Sequence, residues 1–310
     1  MLITVSVEIT VQLLGFDNIP EERVVMLPVV ETFSLTVNDD DALGYKLATH
    51  ISCPSAKHTS LVHGRSNNND VPRLIFPSSH RLYAIIRQYP TGPIEEIALE
   101  MKFDEDPILS CSLTFRSAGA NALGLEFKLY IGDSVRSEEL HWEPLSYASA
   151  TIQSHPLLHN VKRLLIGYRC FISHFRDPRS SATAFRKLVE SMGPLDLLSV
   201  FGLDPQVFLT PFLNIEGIEE FDHKRPIAYP PIKELKIFHP SMPYYRKECV
   251  LAIVEFSKSQ YARGTPFERL ELCMEELPTG TAERLRPWVG EVECYEALCE
   301  DIVKEPWEWF

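Results

Sequence analysis

Hydrophobic and polar residues alternate with period two over several short segments of this chain, which is typical of β-strands with one buried face. The clearest case is the opening segment LITVSVEITVQLL, in which six aliphatic residues from Ile3 to Leu13 fall on one face. Residues 54–72 are polar and rich in Asn, and this composition predicts a loop. Residues 1–132 are therefore predicted to be rich in strands, with further strands at 29–37, 81–88, 95–103, 110–117 and 123–131.

After residue 160 the pattern predicts strands that alternate with helices. The predicted strands are VKRLLIGY (161–168), PPIKELKIFHP (230–240), FERLELCM (267–274) and EVECYEAL (291–298). The predicted helices are SSATAFRKLVESMG (180–193), RKECVLAIVEFSKSQYARG (246–264) and TAERLRPWVG (281–290), with one or two helical turns at PLDLLSVFG (194–202). Residues 133–160 and 214–231 are predicted to be long connections.

Two of these helices have clear helical stripes and end signals. A serine is expected at the N-cap of the first, and Gly193 follows its end. Gly264 is expected to stop the second. The apolar face of the first is formed by Phe185, Leu188, Val189 and Met192, and that of the second by Val250, Ile253, Val254, Ser257 and Tyr261.

The strand PPIKELKIFHP is expected to bury Leu235 and Ile237, with Ile232 buried where the strand begins and Glu234 and Lys236 on the opposite face. Its apolar-x-charged-apolar-x-apolar skeleton recurs at 71–76, 94–99, 161–166, 267–272 and 289–294, but about seven matches are expected by chance. The order of strands and helices is more informative than this count.

The three skeletons that begin at Ile232, Phe267 and Val289 are spaced by 35 and 22 residues, near the period of leucine-rich solenoids. We therefore predict an α/β fold, an irregular leucine-rich-repeat-like solenoid forming a single domain over 1–310. It has a strand-rich half (1–132), a connecting segment (133–160) and a half of strand–helix units (161–310). An ordinary three-layer α/β sheet is the alternative.

Charge and composition limit the function. A formal net charge of −13 argues against binding to a nucleic-acid backbone, which requires a basic face. The sequence predicts neither a membrane span nor a signal peptide, because no apolar run is long enough to cross a bilayer and the first residues alternate. The seven cysteines lack a CxxC pair, so reduced thiols in the cytosol or nucleus are expected, most of them in the core.

Motifs for catalysis, cofactors or metals are not apparent in the sequence. It contains no GxGxxG, phosphate loop or GxSxG. His50, His58 and His63 lie near Cys53 without a zinc-like spacing, and Ser173–His174 is expected to be an exposed polar pair. The acidic groups at 95–96, 104–106 and 219–220 are expected to be solvated. The ending PWEWF is either a docking peptide or, as we favour, a cap for the end of a solenoid. No enzymatic activity, cofactor or metal is predicted.

Five longer segments carry a family resemblance, and they span nearly the whole chain. The chain resembles the region C-terminal to the F-box in the F-box domain-containing proteins of mushroom-forming fungi. The segments are MLPVVETFSLTV (26–37), ATHISCPSAKHTSLVH (48–63), SMGPLDLLSVFG (191–202), RPIAYPPIKELKIFHPSM (225–242) and PFERLELCMEELPTGTAERLRPWVGEVECYE (266–296).

The resemblance implies an irregular leucine-rich-repeat-like region that holds the substrate of a ubiquitin ligase, while an F-box binds the Skp-type adaptor. An F-box is not found in this chain, so adaptor binding is expected only if an F-box is encoded upstream. The expected function is recognition of a protein substrate or partner, through a basic or mixed-charge segment. The alternative is a scaffold with no ubiquitin-ligase role. The outward residues of the predicted sheet are the candidate partner-binding residues: Glu234, Lys236, Arg269, Glu271, Glu291 and Glu293.

Overall fold

The structure is a computed structural model, and it describes fourteen ranges of the chain. They are 4–9, 24–37, 47–63, 84–85, 93–103, 109–117, 124–131, 138–154, 158–168, 178–203, 205–209, 229–239, 246–274 and 277–296. The fold is mixed α/β, with strand-rich sheets and a few helices. The chain divides into two compact units. The first unit is 1–147 with 151–160, and the second unit is 148–150 with 161–310.

The first unit is built mainly from strands. Its described strands are β1 (Thr4–Ile9), β2 (Val25–Met26), β3 (Thr32–Val37), β4 (Ile51–Ser52), β5 (His58–His63), β6 (Ile94–Phe103), β7 (Leu109–Ser117) and β8 (Gly124–Ile131). Within this unit the strand order is β1-β3-β5-β8-β7-β6, and β2 pairs with β4 separately. Strands β1, β3, β5 and β8 are parallel, whereas β8, β7 and β6 form antiparallel pairs.

Period-two alternation builds the core of the first unit. One face of the sheet is buried and carries Phe33, Leu61, Leu99, Leu113 and Phe115. The neighbouring positions carry hydroxyl and acidic side chains on the other face, as the strand register requires. The predicted strands at 95–103, 110–117 and 123–131 are confirmed, and β1 and β3 lie within the predicted strands at 2–14 and 29–37.

Two sequence predictions in the first unit are wrong. The predicted loop 54–72 contains β5, which pairs with β3 on one side and β8 on the other. The polar composition of HTSLVH hid this strand, although Thr59 and Leu61 are buried in the core. Residues 84–85 of the predicted strand 81–88 are helical, and the rest of that segment lies outside the described residues.

The second unit alternates strands with helices. The strands are β9 (Arg163–Tyr168), β10 (Leu195–Phe201), β11 (Ile232–His239), β12 (Arg269–Met274) and β13 (Glu291–Glu296). The helices are α2 (Pro178–Glu190), α3 (Pro205–Leu209), α4 (Arg246–Ala262) and α5 (Thr281–Leu285), and α1 (Glu138–Ser154) precedes them in the chain. The predicted strands β9, β11, β12 and β13 and the helices α2, α4 and α5 are confirmed.

All five strands of the second unit are parallel, and they are adjacent in chain order, β9-β10-β11-β12-β13. One face of this sheet is apolar and buried: Leu198, Leu235, Leu270 and Leu272 have no exposed surface, and Ile237 is 1% exposed. Ile232 is also buried, as predicted. The opposite face carries the polar positions of β11 and β12.

The helices of the second unit contribute their predicted stripes to the core. Phe185, Leu188, Val189 and Met192 of the α2 segment are buried, and the Phe185 ring lies 5.5 Å from that of Phe208 on α3. On α4, Val250, Ile253, Val254 and Ser257 are buried. Tyr261, predicted to share that face, is instead 52% exposed, and its ring packs edge-on against Trp288. Gly264 ends the segment with a φ of 76°.

Three further predictions are corrected here. PLDLLSVFG is the strand β10 and not a helix, because a continuous apolar run is what a central parallel strand buried on both faces requires. Most of the predicted connection 133–160 is the helix α1, where Leu145, Ala148 and Ile152 form a buried stripe that uses small residues. Helix α2 begins at Pro178, before the serines expected to cap it, because the fixed φ of proline suits a first helical turn.

The cysteines and the long helices bear on two further predictions. Cys53, Cys111, Cys249 and Cys273 are buried thiols, as expected for core residues, and Cys294 is an exposed thiol. Across the described ranges, no helix is both long and apolar enough to span a bilayer. Residues 214–228 of the predicted connection 214–231 and the ending PWEWF lie outside the described residues, and residues 229–231 are in neither a helix nor a strand.

Candidate partner-binding face

The six predicted partner-binding residues lie together on one face of the second unit's sheet. The parallel register of β11, β12 and β13 aligns them in two rows, and we call these rows the charged face. Row one is Glu234, Arg269 and Glu291, and row two is Lys236, Glu271 and Glu293. Adjacent strands in a sheet are about 4.8 Å apart, so each row brings its three side chains within reach of one another.

Local sequence explains why these charges share one face. On β11 and β12 every charged residue of the two rows alternates with a leucine or isoleucine that is buried on the opposite face. Shifting either strand by one residue would bury the charges and expose the aliphatic side chains. The apolar core therefore fixes the positions of the charged residues.

Two ion pairs connect the strands of the charged face. The Lys236 Nζ atom lies 3.1 Å from Glu271 Oε2, and Arg269 Nη2 lies 2.7 Å from Glu293 Oε2. The Lys236 and Glu271 side chains are 24% and 22% exposed, so this pair is only partly screened by water. Both pairs bridge neighbouring strands and hold the face in one arrangement.

Tyr295 extends the second ion pair into a short network. Its hydroxyl donates a hydrogen bond to Glu293 Oε2, the same oxygen that accepts from Arg269. The hydrogen bond from Tyr295, followed by that from Arg269, lowers the pKa of the Glu293 carboxyl. The same hydrogen bond raises the pKa of the Tyr295 hydroxyl. At neutral pH the tyrosine is therefore a donor and the glutamate an anion.

Glu234 and Glu291 complete the charged face at the ends of row one. Neither residue forms a salt bridge with another of the described residues, and Glu291 is exposed. With four glutamates and two basic residues, the charged face has an excess of negative charge. The two acids that no salt bridge among the described residues engages, Glu234 and Glu291, both lie in row one, because Lys236 and Arg269 pair with the acids of row two.

A third row adjoins the charged face at the carboxyl ends of the strands. The register aligns Phe201, Phe238, Cys273 and Tyr295, and we call this set the apolar row. The rings of Phe201 and Phe238 are stacked, with centroids 4.7 Å apart and planes 7° from parallel. Phe201 and Cys273 are buried, whereas Tyr295 is 48% exposed.

A cavity of about 300 Å³ lies over the apolar row. Besides the apolar row, Ile237 and Ser199 line it, and the Lys236–Glu271 ion pair forms its edge toward the charged face. This cavity was not predicted from the sequence. A signal was present, since an aromatic or thiol side chain follows each row-two residue by two positions, but the interpretation of β10 as helical removed Phe201 and Ser199 from the sheet.

The other candidates for chemistry do not assemble into a site among the described residues. Cys53 is fully buried, and this burial raises the pKa of its thiol to about 11. No cluster of three or more metal-ligating side chains occurs in the described part of the chain. The prediction that the acidic group 95–96 is solvated is wrong for Glu96, which is buried with its Oε1 atom 2.5 Å from Arg116 Nη1. Ser173–His174 and the acidic groups 104–106 and 219–220 lie outside the described residues.

The side chains around the cavity present both apolar and polar groups. Ser199 offers a hydroxyl, the apolar row offers rings and a thiol, and the lysine and glutamate neutralise each other. Comparison with protein-family models, with curated proteins and with solved structures found no match to this chain.

Proposed function

We propose that the chain is a protein-interaction module, similar to the substrate-recognition region of F-box ubiquitin-ligase receptors. The charged face and the adjoining cavity are its binding surface. The observation that carries this proposal is the in-register arrangement of six half-buried or exposed charges beside an apolar cavity. Protein interfaces combine these elements, an apolar centre with a polar rim. On this proposal the chain is a binding protein and not an enzyme.

The strand order supports the irregular leucine-rich-repeat-like solenoid that we propose for the fold. In a solenoid each repeat contacts only its neighbours in the chain. Each of β10 to β13 is parallel to, and paired with, the strand that precedes it, and a helix lies in each intervening segment. In the first unit, β1, β3 and β5 are likewise parallel neighbours in chain order, whereas the antiparallel pairs of β6, β7 and β8 depart from this pattern.

The charges indicate which kind of partner fits. Complementary potentials steer association and select partners, and like charges across an interface are costly. Because the excess charge of the face is negative, a basic or mixed-charge protein segment is the complementary partner. We propose a cytosolic or nuclear setting, in which the buried thiols stay reduced.

Charge reversal tests the proposal. The double variant Glu271→Lys, Glu293→Lys reverses both acids of row two, so proteins that bind this face should be lost from affinity capture on the immobilised chain. The capture uses an extract of the organism that encodes the chain, with quantitative mass spectrometry as the readout. Glu283→Lys on the exposed surface of α5 is the matched control. Circular dichroism checks that each variant is folded.

The comparison between variants decides the outcome. Proteins recovered by the unmodified chain and by Glu283→Lys, but not by the folded double variant, support the proposed face. If the folded double variant captures the same proteins in the same amounts, the charged face is not the binding surface.

The second candidate function is a scaffold with no ubiquitin-ligase role. It is favoured by the charged face and the adjoining cavity, because such a surface serves a scaffold as well as a ligase receptor. The two functions differ in their coding DNA and in adaptor binding. An in-frame F-box upstream of Met1, with recovery of a purified Skp-type adaptor by the extended chain, supports the ligase receptor. Absence of that F-box, or failure of the extended chain to recover the adaptor, supports the scaffold.

A further inference from the structure

We infer that the cavity over the apolar row is an anchor pocket for one bulky apolar side chain of the partner. We also infer that Glu234 and Glu291 select a lysine or arginine about four residues from that anchor. This inference rests on the proposed function and deepens it, because it names the motif that the binding surface recognises: an apolar residue and a basic residue at a fixed spacing in an extended peptide.

The lining of the cavity determines the kind of side chain it accepts. Ser199 is 2% exposed and Cys273 is 8% exposed, so the base of the cavity is shielded from water. Lys236 and Glu271 already neutralise each other at the edge. A charged group placed in the cavity would lose its hydration without gaining an opposite charge, and this is unfavourable. An apolar side chain has no comparable hydration to lose, and it gains contact with the rings of the apolar row.

The size and rim of the cavity are consistent with a single anchor. At about 300 Å³ it is at the lower end of the range for small-ligand pockets, and this suits one large side chain. The half-exposed ring of Tyr295 forms part of the lining, and its hydroxyl is held by Glu293. A fixed aromatic ring beside a shielded pocket is typical of the few positions that dominate binding energy.

The spacing follows from the strands themselves. Glu234 precedes Phe238 by four positions on β11, and Glu291 precedes Tyr295 by four positions on β13. At about 3.3 Å per residue the acids are about 13 Å from the apolar row. An extended peptide that lies along the strands covers this distance with four residues. Arg269 stands between the two acids but already pairs with Glu293.

A display library of random twelve-residue peptides tests the motif on the full chain. Selection should enrich peptides with a bulky apolar residue and a lysine or arginine four positions away. Synthetic versions of the enriched peptides are then measured by fluorescence anisotropy. Glu234→Gln with Glu291→Gln should weaken them about threefold to tenfold, with less effect of salt on the remaining affinity.

Filling the pocket is the complementary test. Cys273→Leu places a larger side chain in the cavity and should weaken the peptides at least about tenfold, whereas Cys273→Ala keeps the cavity open and is the matched control. Thermal unfolding checks that both variants are folded. If Cys273→Leu is unfolded, the comparison uses the exchange of the peptide's apolar residue for alanine, which requires no change in the protein.

The outcomes separate the motif from the proposed function. The anchor motif is overturned if the peptides bind equally well after Cys273→Leu or the alanine exchange and after the two glutamine changes. If the same peptides lose binding to the Glu271→Lys, Glu293→Lys variant, the charged face remains the binding surface. Peptides indifferent to every variant count against the face itself. A library that yields no enrichment overturns the motif, while the affinity capture from extract decides the proposed function independently.

Discussion

The two units use the polar faces of their sheets differently. In the first unit, Ser60, Ser112 and Thr114 are buried on that face, and Glu96 there pairs with Arg116. In the second unit, the corresponding face carries charges on three adjacent strands, and most of them are half-exposed. Each unit buries aliphatic side chains on the other face of its sheet, so the contrast concerns the polar faces alone.

On the proposed function, this difference indicates where a partner would gain binding energy. Buried hydroxyl groups stabilise the fold when they are hydrogen-bonded but offer little to a molecule outside it. Partly exposed charges in fixed positions keep enough contact with solvent to meet a partner, and their arrangement gives specificity. On the proposed function, the charged face of the second unit is the recognition surface, while the described polar face of the first unit is a structural layer.

The largest expected losses of stability come from truncating a core residue, since both units bury an apolar face of their sheet. Leu113→Ala in the first unit and Leu235→Ala in the second each remove a fully buried side chain, and each should lower the free energy of unfolding by about 2–5 kcal/mol. Urea unfolding measures both. A loss below about 1 kcal/mol in one unit alone would show that its core is loosely packed, and the contrast would then extend beyond the polar faces.

A pair of glycines sharpens the comparison within the second unit. Gly202 follows β10 with a φ of 72°, and a Cβ there would lie 1.9 Å from the carbonyl oxygen of Tyr168. Gly202→Ala should lower the free energy of unfolding by about 2–4 kcal/mol, because the alanine would cause backbone strain and overpacking. Gly264→Ala, with a φ of 76° and open space around the Cβ, should cost about 1–2 kcal/mol. Equal losses in thermal unfolding would show that the contact with Tyr168 is not rigid.

Removing one cation from each unit tests the contrast directly. Arg116→Met leaves the Glu96 side chain, which is 8% exposed, without its guanidinium and should cost about 1–3 kcal/mol. Lys236→Met removes the ion pair with Glu271, whose side chain is more exposed than that of Glu96, and should lower the free energy of unfolding by less than about 1 kcal/mol. Urea unfolding at low and high salt measures both, and only the second loss should shrink clearly with salt. Equal losses with equal salt dependence would contradict the contrast.

The smallest expected effect is a shift in the titration of Glu293. Tyr295→Phe removes the hydrogen bond that contributes most to its lowered pKa, so the pKa should rise toward its ordinary value of 4.5. A carboxyl whose pKa is lowered in the folded state stabilises the fold at pH values above its ordinary pKa. This stabilisation is lost as the pH falls through the folded-state pKa. The stability difference between the unmodified chain and Tyr295→Phe should therefore be present at neutral pH and vanish in acid.

Carboxyl NMR titration of Glu293 measures the shift, and urea unfolding across the acid range measures its effect on stability. Tyr261→Phe is the control, since Tyr261 is similarly exposed and packs against a tryptophan ring. A Glu293 titration that responds equally to both changes would show that the Tyr295 hydroxyl is not the cause.

Regular sequence patterns predicted most of the second unit. Strand β11 alternates aliphatic and charged residues, and α4 repeats its apolar residues at helical spacing, so local residues identify both elements. Strand β10 has no alternation because it is buried on both faces, and a short apolar run fits a helix as well as a strand. Strand β5 was hidden by hydroxyl and imidazole side chains that the mixed sheet accommodates between two other strands.

The candidate site was predictable only in part for a related reason. Alternation alone places Lys236 or Glu271 on the outer face of its own strand, so the charged face could be inferred from single segments. The cavity requires that Phe201 lie beside Phe238, and this depends on which strands are neighbours. Strand neighbourhood is decided by contacts between distant segments, and no local pattern encodes it.

The chain-order pairing of β9 to β13 also has a consequence for folding kinetics. Each of β10 to β13 pairs with the strand before it in the chain, so each of these pairings closes a chain segment of moderate length. In the first unit, pairing of His58 with Gly124 must close a longer segment, which costs more entropy. Shorter contact separation favours faster folding. The strands that carry the charged face can therefore be added one at a time during folding.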